Sequence, residues 1–135
     1  MSSTSQPALL TVNLSFSGWA AQWSLTGLQA GPTANPAGDG IVNLVKFALG
    51  LNPTVNVSTG LPTLAQENGQ YVFRFTRPLL LSGITYTVET STDLVNWTDT
   101  LATSVESSTT TTETLFATLP FTGPKLFVRL QVTQP

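Results

Sequence analysis

The chain has 135 residues, of which only 9% are charged, and its formal net charge is −2. It contains no histidine and no cysteine, which excludes Ser-His-Asp and Cys-His catalysis and the usual zinc sites. A chain of this length is expected to form one domain with one substantial core. The small negative charge argues against nucleic-acid binding, which needs a basic face, and no apolar run is long enough to cross a membrane. We therefore expect no enzyme activity, no cofactor and no membrane insertion.

The amino end carries a predicted strand. Four apolar residues alternate with polar ones in strict period two, which is typical of a half-buried strand: Leu10, Val12, Leu14 and Phe16. Such a strand either pairs with the sheet of its own domain or inserts into the sheet of a neighbouring subunit. In the second case backbone hydrogen bonds give affinity and alternate side chains fill pockets. The pattern does not distinguish the two alternatives. Insertion into a neighbouring subunit would make these four residues an assembly site.

A short helix is predicted next. Phe16, Trp19, Ala20 and Trp23 are spaced at i, i+3, i+4 and i+7, with Ser15 or Ser17 available as N-cap. We expect this helix to end near Gly27. Its aromatic stripe is predicted to pack against a second helix, and the alternative is a platform for a sugar ring.

Residues 35–46 have the spacing of an EF-hand-type calcium loop, which places ligands at positions 1, 3, 5, 7, 9 and 12 and glycine at 6. Ala37 offers no oxygen at position 3, and Lys46 stands where an acidic ligand belongs. We therefore expect no calcium and hypothesise that the Lys46 ammonium pairs with Asp39 in place of the cation. The alternative is an ordinary Asp-Gly turn before a helix. The positions that retain a suitable residue are Asn35, Asp39, Gly40, Ile41 (through its carbonyl) and Asn43.

The second helix is well specified. Its apolar stripe consists of Ile41, Leu44, Val45, Ala48 and Leu49. Gly50 is placed to end the helix in the left-handed conformation, and Pro53 prevents its continuation.

Two stretches resemble a family of secreted bacterial proteins. Residues 38–53, GDGIVNLVKFALGLNP, resemble the motif DGDGxxNLxEYALGxDP. Many large secreted proteins of Verrucomicrobia and related bacteria share that motif, which is related to dockerin and thrombospondin type-3 calcium repeats. Residues 86–97, YTVETSTDLVNW, resemble the segment YTVExSSDLxNW that follows it, and residues 127–130, FVRL, resemble its closing strand. The resemblance covers roughly residues 16–133.

The resemblance implies a β-rich terminal module outside the cell, with a role in surface display, anchoring or assembly. The family usually has acidic residues where this chain has Ala37 and Lys46. For that reason the resemblance does not carry calcium binding over to this chain.

From Leu61 onward the patterns are those of strands. Apolar and polar residues alternate over residues 71–76, 84–90, 115–119 and 126–132, with a weaker strand within 100–106. Several short antiparallel strands at this spacing indicate a sandwich. The predicted fold class is α+β: a terminal strand in 1–16, a helix-loop-helix in 17–53 and an antiparallel β-sandwich in 61–135, together one structural unit.

Trp97 is the candidate for ligand binding. It follows a predicted turn, and with Tyr71 or Tyr86 nearby it would suit a carbohydrate ring; the alternative is a core tryptophan. Asp93 and Asp99 flank it, as a glycosidase would require, but Asp93 lies where a turn favours Asp.

We expect a non-catalytic extracellular module at the bacterial surface that assembles with itself into filaments or a surface layer. Abundant threonine, about one residue in six, and the low charge favour this interpretation. The alternative is a carbohydrate-binding module whose partner is a cell-surface polysaccharide.

Overall fold

The computed structural model describes residues 13–97, 99–120 and 125–135. Within them the chain forms two short α-helices, α1 (Phe16–Gln22) and α2 (Asn43–Leu49), with a 3-10 helix (Gly27–Ala30) between them. Seven strands follow: β1 (Thr63–Glu67), β2 (Gln70–Pro78), β3 (Thr85–Ser91), β4 (Asp99–Leu101), β5 (Ser104–Ser108), β6 (Thr112–Thr118) and β7 (Phe127–Thr133). The predicted α+β class with a β-sandwich is confirmed. No helix among the described residues has the length and apolar character needed to cross a bilayer.

The first helix begins at a side-chain cap. Ser15 Oγ accepts a hydrogen bond from the Gly18 amide at 3.1 Å, which satisfies one of the amides that have no partner at a helix start. The helix ends at Gln22, earlier than the expected Gly27, and Trp23 is 39% exposed at its end. Trp23 therefore lies outside the core.

The second helix begins at Asn43, so Ile41 precedes it and does not belong to the predicted stripe. It ends as predicted at Gly50, which is left-handed with φ 71° and ψ 33°. The Leu51 amide donates to the Lys46 carbonyl at 2.8 Å, as in a Schellman motif. A Cβ on Gly50 would lie 2.9 Å from Pro78 Cγ, so glycine is needed both for the conformation and for the contact with the sandwich.

The two helices pack through aromatic rings, as the sequence predicts. Phe47 is fully buried and Trp19 is buried, and their ring centres lie 5.7 Å apart in an edge-on arrangement. Phe16 lies 5.6 Å from Phe47 in a T-shaped contact. Tilted contacts of this kind are preferred by aromatic quadrupoles. The stripe is thus a core contact, and among its members only Trp23 is exposed.

The strands form two antiparallel sheets with the orders β1-β2-β6-β5 and β4-β3-β7. An immunoglobulin-type sandwich has strands A-B-E-D in one sheet and C-F-G in the other, with C′ added beside C in some types. The observed orders correspond to A-B-E-D and C′-C-F. Among the described residues no strand occupies the position of G, beside β7.

The inner faces of the sheets form the main core. Phe75 lies opposite Leu115 in one sheet, and Val88 lies opposite Leu130 in the other. Leu49 from α2 joins this cluster, so the helix packs against the sandwich. Tyr86 fixes the junction, because its hydroxyl donates to the Ala48 carbonyl at 2.6 Å. Burial raises the pKa of the Tyr86 hydroxyl to about 12.

Two further predictions need correction. Phe16 is the first residue of α1 and is not in a strand, because its ring packs on Trp19 and Phe47. The single predicted strand within 100–106 is two strands, since β4 pairs with β3 and β5 pairs with β6 in the other sheet.

The predicted amino-terminal strand is only partly within the described residues. Leu14 forms a parallel bridge with Leu81, and its amide donates to the Leu80 carbonyl at 2.8 Å. Leu14 therefore pairs within its own chain. Leu10 and Val12 lie outside the described residues.

Candidate functional site

The calcium-type loop is closed by a buried ion pair. Lys46 Nζ lies 2.8 Å from Asp39 Oδ2, and the side chains are 0% and 7% exposed. The predicted pairing of the Lys46 ammonium with Asp39 is observed, and its standing in for a metal cation stays a hypothesis. Lys46 Nζ also donates to the Val55 carbonyl at 3.2 Å, so the pair ties the loop to the connector that follows α2.

Backbone amides complete the surroundings of the carboxylate. The Ile41 amide donates to Asp39 Oδ1 and the Val57 amide to Asp39 Oδ2, both at 3.0 Å. The hydrogen bond from Lys46 is the main cause that lowers the pKa of Asp39 to about 2, with these amides adding to it against the opposing effect of burial. Asp39 is thus held as a carboxylate by groups from three parts of the chain.

The loop does not fit a calcium ion. Calcium takes six to eight oxygen ligands, whereas the Lys46 ammonium occupies the side of Asp39 that faces the helix. Asn43 matches ligand position 9 by spacing, but its side chain is fully buried and bonds to the chain segment before the loop. Its amide nitrogen donates to the carbonyls of Gln29 and Gly31 at 2.8 and 3.0 Å, and its Oδ1 has no hydrogen-bond partner among the described residues.

Asn35 and Ile41 keep their positions in the loop, and both bond to Asp39. Asn35 Oδ1 accepts from the Asp39 amide at 3.3 Å, and Ile41 contributes its amide to Asp39. The described residues contain no cluster of three acidic, His or Cys side chains that could hold a metal. The polar groups of this loop bond to one another and to the connector after α2.

Trp97 lies on the outer face of the three-stranded sheet. The Arg129 guanidinium carbon lies 4.3 Å from the centre of its ring, and Arg129 Nε donates to Glu89 Oε1 at 2.9 Å. Trp97 is half-buried, and one face of its ring is covered by Arg129. This surface combines an aromatic ring with a charged pair, which are the groups that contact sugar hydroxyls and sugar faces.

The structure does not bring Tyr71 or Tyr86 to Trp97. Tyr86 lies on the other face of β3 from Glu89, where its ring stacks on Phe75 at 5.8 Å. Tyr71 is on β2, in the opposite sheet, and packs against the main core. The expectation of tyrosines beside Trp97 is wrong for this reason. The actual neighbours are on β3 and β7 and could not be found from local spacing.

Asp93 organises the turn before Trp97. Its Oδ1 accepts from the Val95 and Asn96 amides at 2.9 and 2.8 Å, and from Ser91 Oγ at 2.8 Å. These hydrogen bonds hold the pKa of Asp93 well below its usual range. The role of Asp93 as a turn residue is confirmed.

An open cavity of about 440 Å³ lies between the end of β2 and the start of β3. Arg77 Nη2 pairs with Glu113 Oε1 at 2.6 Å, and the Arg77 guanidinium lies 4.8 Å from the centre of the Tyr86 ring. The charged groups on its wall are therefore engaged with each other. Residues 79–81 and Ile84 supply the apolar part of the lining.

The edge strands of the two sheets are β1, β4, β5 and β7, and they differ in how they are protected, a feature that the sequence did not reveal. β1 pairs regularly with β2 over its five residues. β4 has only three residues, and β5 is interrupted by a register shift between Val105 and Ser107. Short strands and bulges both discourage pairing with another chain. β7 is seven residues long and pairs regularly with β3 over its whole length. Among the described residues, none of its backbone groups bonds to anything beyond β3.

An apolar groove lies beside this open edge. It has a volume of about 230 Å³ and is lined by Leu64, Tyr71, Leu119, Lys125 and Leu126. Leu64 is on the edge strand β1, opposite Phe73, and is 49% exposed. The groove thus opens between β1 of one sheet and the start of β7 in the other.

No family model, curated protein or solved structure matches this chain significantly. The open edge of β7, the surface around Trp97 and the closed loop are consequently the features from which a function is inferred. Of these, only the loop and Trp97 carry a signal in the sequence. The edge depends on strand order, which local patterning does not give.

Proposed function

We propose that this chain is a non-catalytic structural module that assembles with copies of itself at the outer surface of a bacterium. The observation that carries the proposal is the edge of β7. With respect to the residues that the structure describes, it offers a regular row of backbone donors and acceptors over seven residues, without the short length of β4 or the bulge of β5. Such an edge is a template for pairing with another chain.

The charge distribution supports assembly. Four of the five basic residues form ion pairs within the module: Lys46 with Asp39, Arg74 with Glu67 and Glu106, Arg77 with Glu113, and Arg129 with Glu89. A net charge far from zero keeps proteins apart by repulsion. This chain, with a net charge of −2, has little of that repulsion to overcome.

The resemblance of residues 38–53 to secreted bacterial proteins supports the extracellular location. In those proteins the motif belongs to a terminal module of surface display or assembly. Here the Lys46–Asp39 ion pair closes the loop. The conformation of the loop would therefore be independent of the calcium concentration outside the cell.

The test is the mass distribution of the purified full chain over a hundredfold range of concentration, with electron micrographs of the same samples. Assembly predicts oligomers or filaments that grow with concentration. Because the ion pairs are internal, assembly should persist when salt is raised to 0.5 M. A folded monomer at every concentration would rule out the proposal.

A second candidate is carbohydrate binding at Trp97. The half-buried ring next to the Arg129–Glu89 pair favours it, because a sugar can stack on an aromatic ring while charged groups bond its hydroxyls. The test is a fluorescence titration with a panel of bacterial polysaccharides. Trp97→Ala should abolish binding, whereas Trp23→Ala, at an exposed position after the end of α1, is the matched control. Equal binding by both variants would count against this site.

A further inference from the structure

We propose that the groove beside β7 accepts the amino-terminal segment of a second copy of this chain, which adds an antiparallel strand to β7. The inference rests on the proposed function and deepens it by naming the acceptor and the donor. Acceptor residues are the backbone of β7 with Leu64, Leu119 and Leu126. The donor is residues 8–12, with Leu10 and Val12 directed into the groove.

The acceptor lies along the side of β7 where no strand is found among the described residues. The two sheets have the strand orders A-B-E-D and C′-C-F of an immunoglobulin-type sandwich, and the position of strand G is beside β7. A strand in that position would cover the gap between β1 and β7. The groove with its half-exposed Leu64 is in that gap, so it provides the apolar pocket that alternate side chains of an added strand would fill.

The donor has the required pattern. Ala8, Leu10 and Val12 fall on one face of an extended segment, and residues 1–12 contain no charged side chain. β7 spans about 23 Å at the usual rise per residue, and twelve extended residues reach about 40 Å. The segment is therefore long enough to leave one copy at Leu14 and lie along β7 of another.

Strand direction indicates that the strand added to β7 comes from a second copy and not from the same copy. Ser15 and Ser17 lie around one cavity with Gln134 and Pro135, at the carboxyl end of β7. A segment that reached Leu14 along its own β7 would therefore run parallel to it. Leu14 itself makes a single parallel bridge with Leu81, but every ladder between the seven strands is antiparallel, and antiparallel pairing is the more stable per residue. A neighbouring copy can approach in the antiparallel direction.

The experiment uses two full-length variants with complementary defects. L10D/V12D removes the apolar face of the donor and leaves the acceptor intact. L64K places a charge in the acceptor groove and leaves the donor intact. The matched controls are T11D, on the other face of the donor, and L28K, at a side chain that is 94% exposed on the 3-10 helix. Thermal unfolding first verifies that all four are folded.

Each defective variant alone should be monomeric, and the two controls should assemble like the parent chain. An equimolar mixture of L10D/V12D and L64K should form heterodimers and nothing larger, because only one donor and one acceptor remain compatible. Mass photometry would resolve these species.

Three results would overturn the inference. Undiminished assembly of L10D/V12D would show that the chain associates by another surface, which leaves the proposed function standing. A mixture that stays monomeric would show that the two variants do not complement each other. A monomeric parent chain whose melting temperature falls in L10D/V12D would show that the segment pairs within its own copy, and the proposed function would fail as well.

Discussion

Lys46 Nζ and Asp39 Oδ2 lie 2.8 Å apart in the interior, where the last ligand and the central carboxylate of a calcium loop would share an ion. The ammonium supplies the positive charge from within the chain. It also bonds the Val55 carbonyl, and Asp39 accepts from the Val57 amide, so the pair joins α2, its preceding loop and the connector to the sandwich.

Removing the charge of Lys46 should destabilise the fold. Lys46→Met would leave the Asp39 carboxylate buried without its partner, and breaking a buried ion pair costs about 3–5 kcal/mol. The double variant Asp39→Asn/Lys46→Met should regain much of this free energy of unfolding. Urea denaturation measures both. A single variant as stable as the parent chain would contradict the role of the pair.

Restoring acidic ligands should create a calcium site. In Ala37→Asp/Lys46→Glu, three carboxylates would surround the loop, and the melting temperature should be low in EDTA and rise with calcium. The parent chain should show no such dependence, because Lys46 holds Asp39. Ala37→Asp alone is the control. If calcium left the double variant unchanged, the loop would lack the geometry of a calcium site.

Acid should destabilise the protein as pH falls from about 4 to 2. The folded-state pKa of Asp39 is lowered from 3.8 to about 2, and that of Asp93 is also lowered. A group whose pKa is depressed by folding contributes stability above its unfolded pKa and loses it as pH falls through the folded one. The stability gap between the parent chain and Asp93→Asn should therefore be largest near neutrality and shrink toward pH 2. A gap that is constant with pH would contradict this assignment.

Gly50→Ala should cost more stability than Gly38→Ala. Both glycines have positive φ, 71° and 70°, so alanine pays about 1–2 kcal/mol of backbone strain at either position. At Gly50 the new Cβ would also meet Pro78 Cγ at 2.9 Å, whereas at Gly38 it would meet nothing within 4 Å. Thermal unfolding of the two variants isolates the contact between α2 and β2. Equal losses would mean that Pro78 moves away without cost.

Features that depend on neighbours along the chain could be predicted from local pattern alone. The end of α2 at Gly50, the cap at Ser15 and the alternation of β2, β3, β6 and β7 all follow from local conformational preference and periodicity. The pairing of Lys46 with Asp39 followed as well, because the spacing of a calcium loop brings positions 5 and 12 together.

The neighbours of each strand and side chain across the sheets could be read only from the folded structure. Alternation of apolar and polar residues defines the two faces of each strand but not which strand lies next to it. For that reason Tyr71 and Tyr86 were expected beside Trp97, although they lie elsewhere in the sandwich. For the same reason, the position of β7 at a sheet edge could not be predicted from the sequence. An edge is defined by the order in which distant strands pair, and that order is set by the packing of the whole core around Phe75 and Val88.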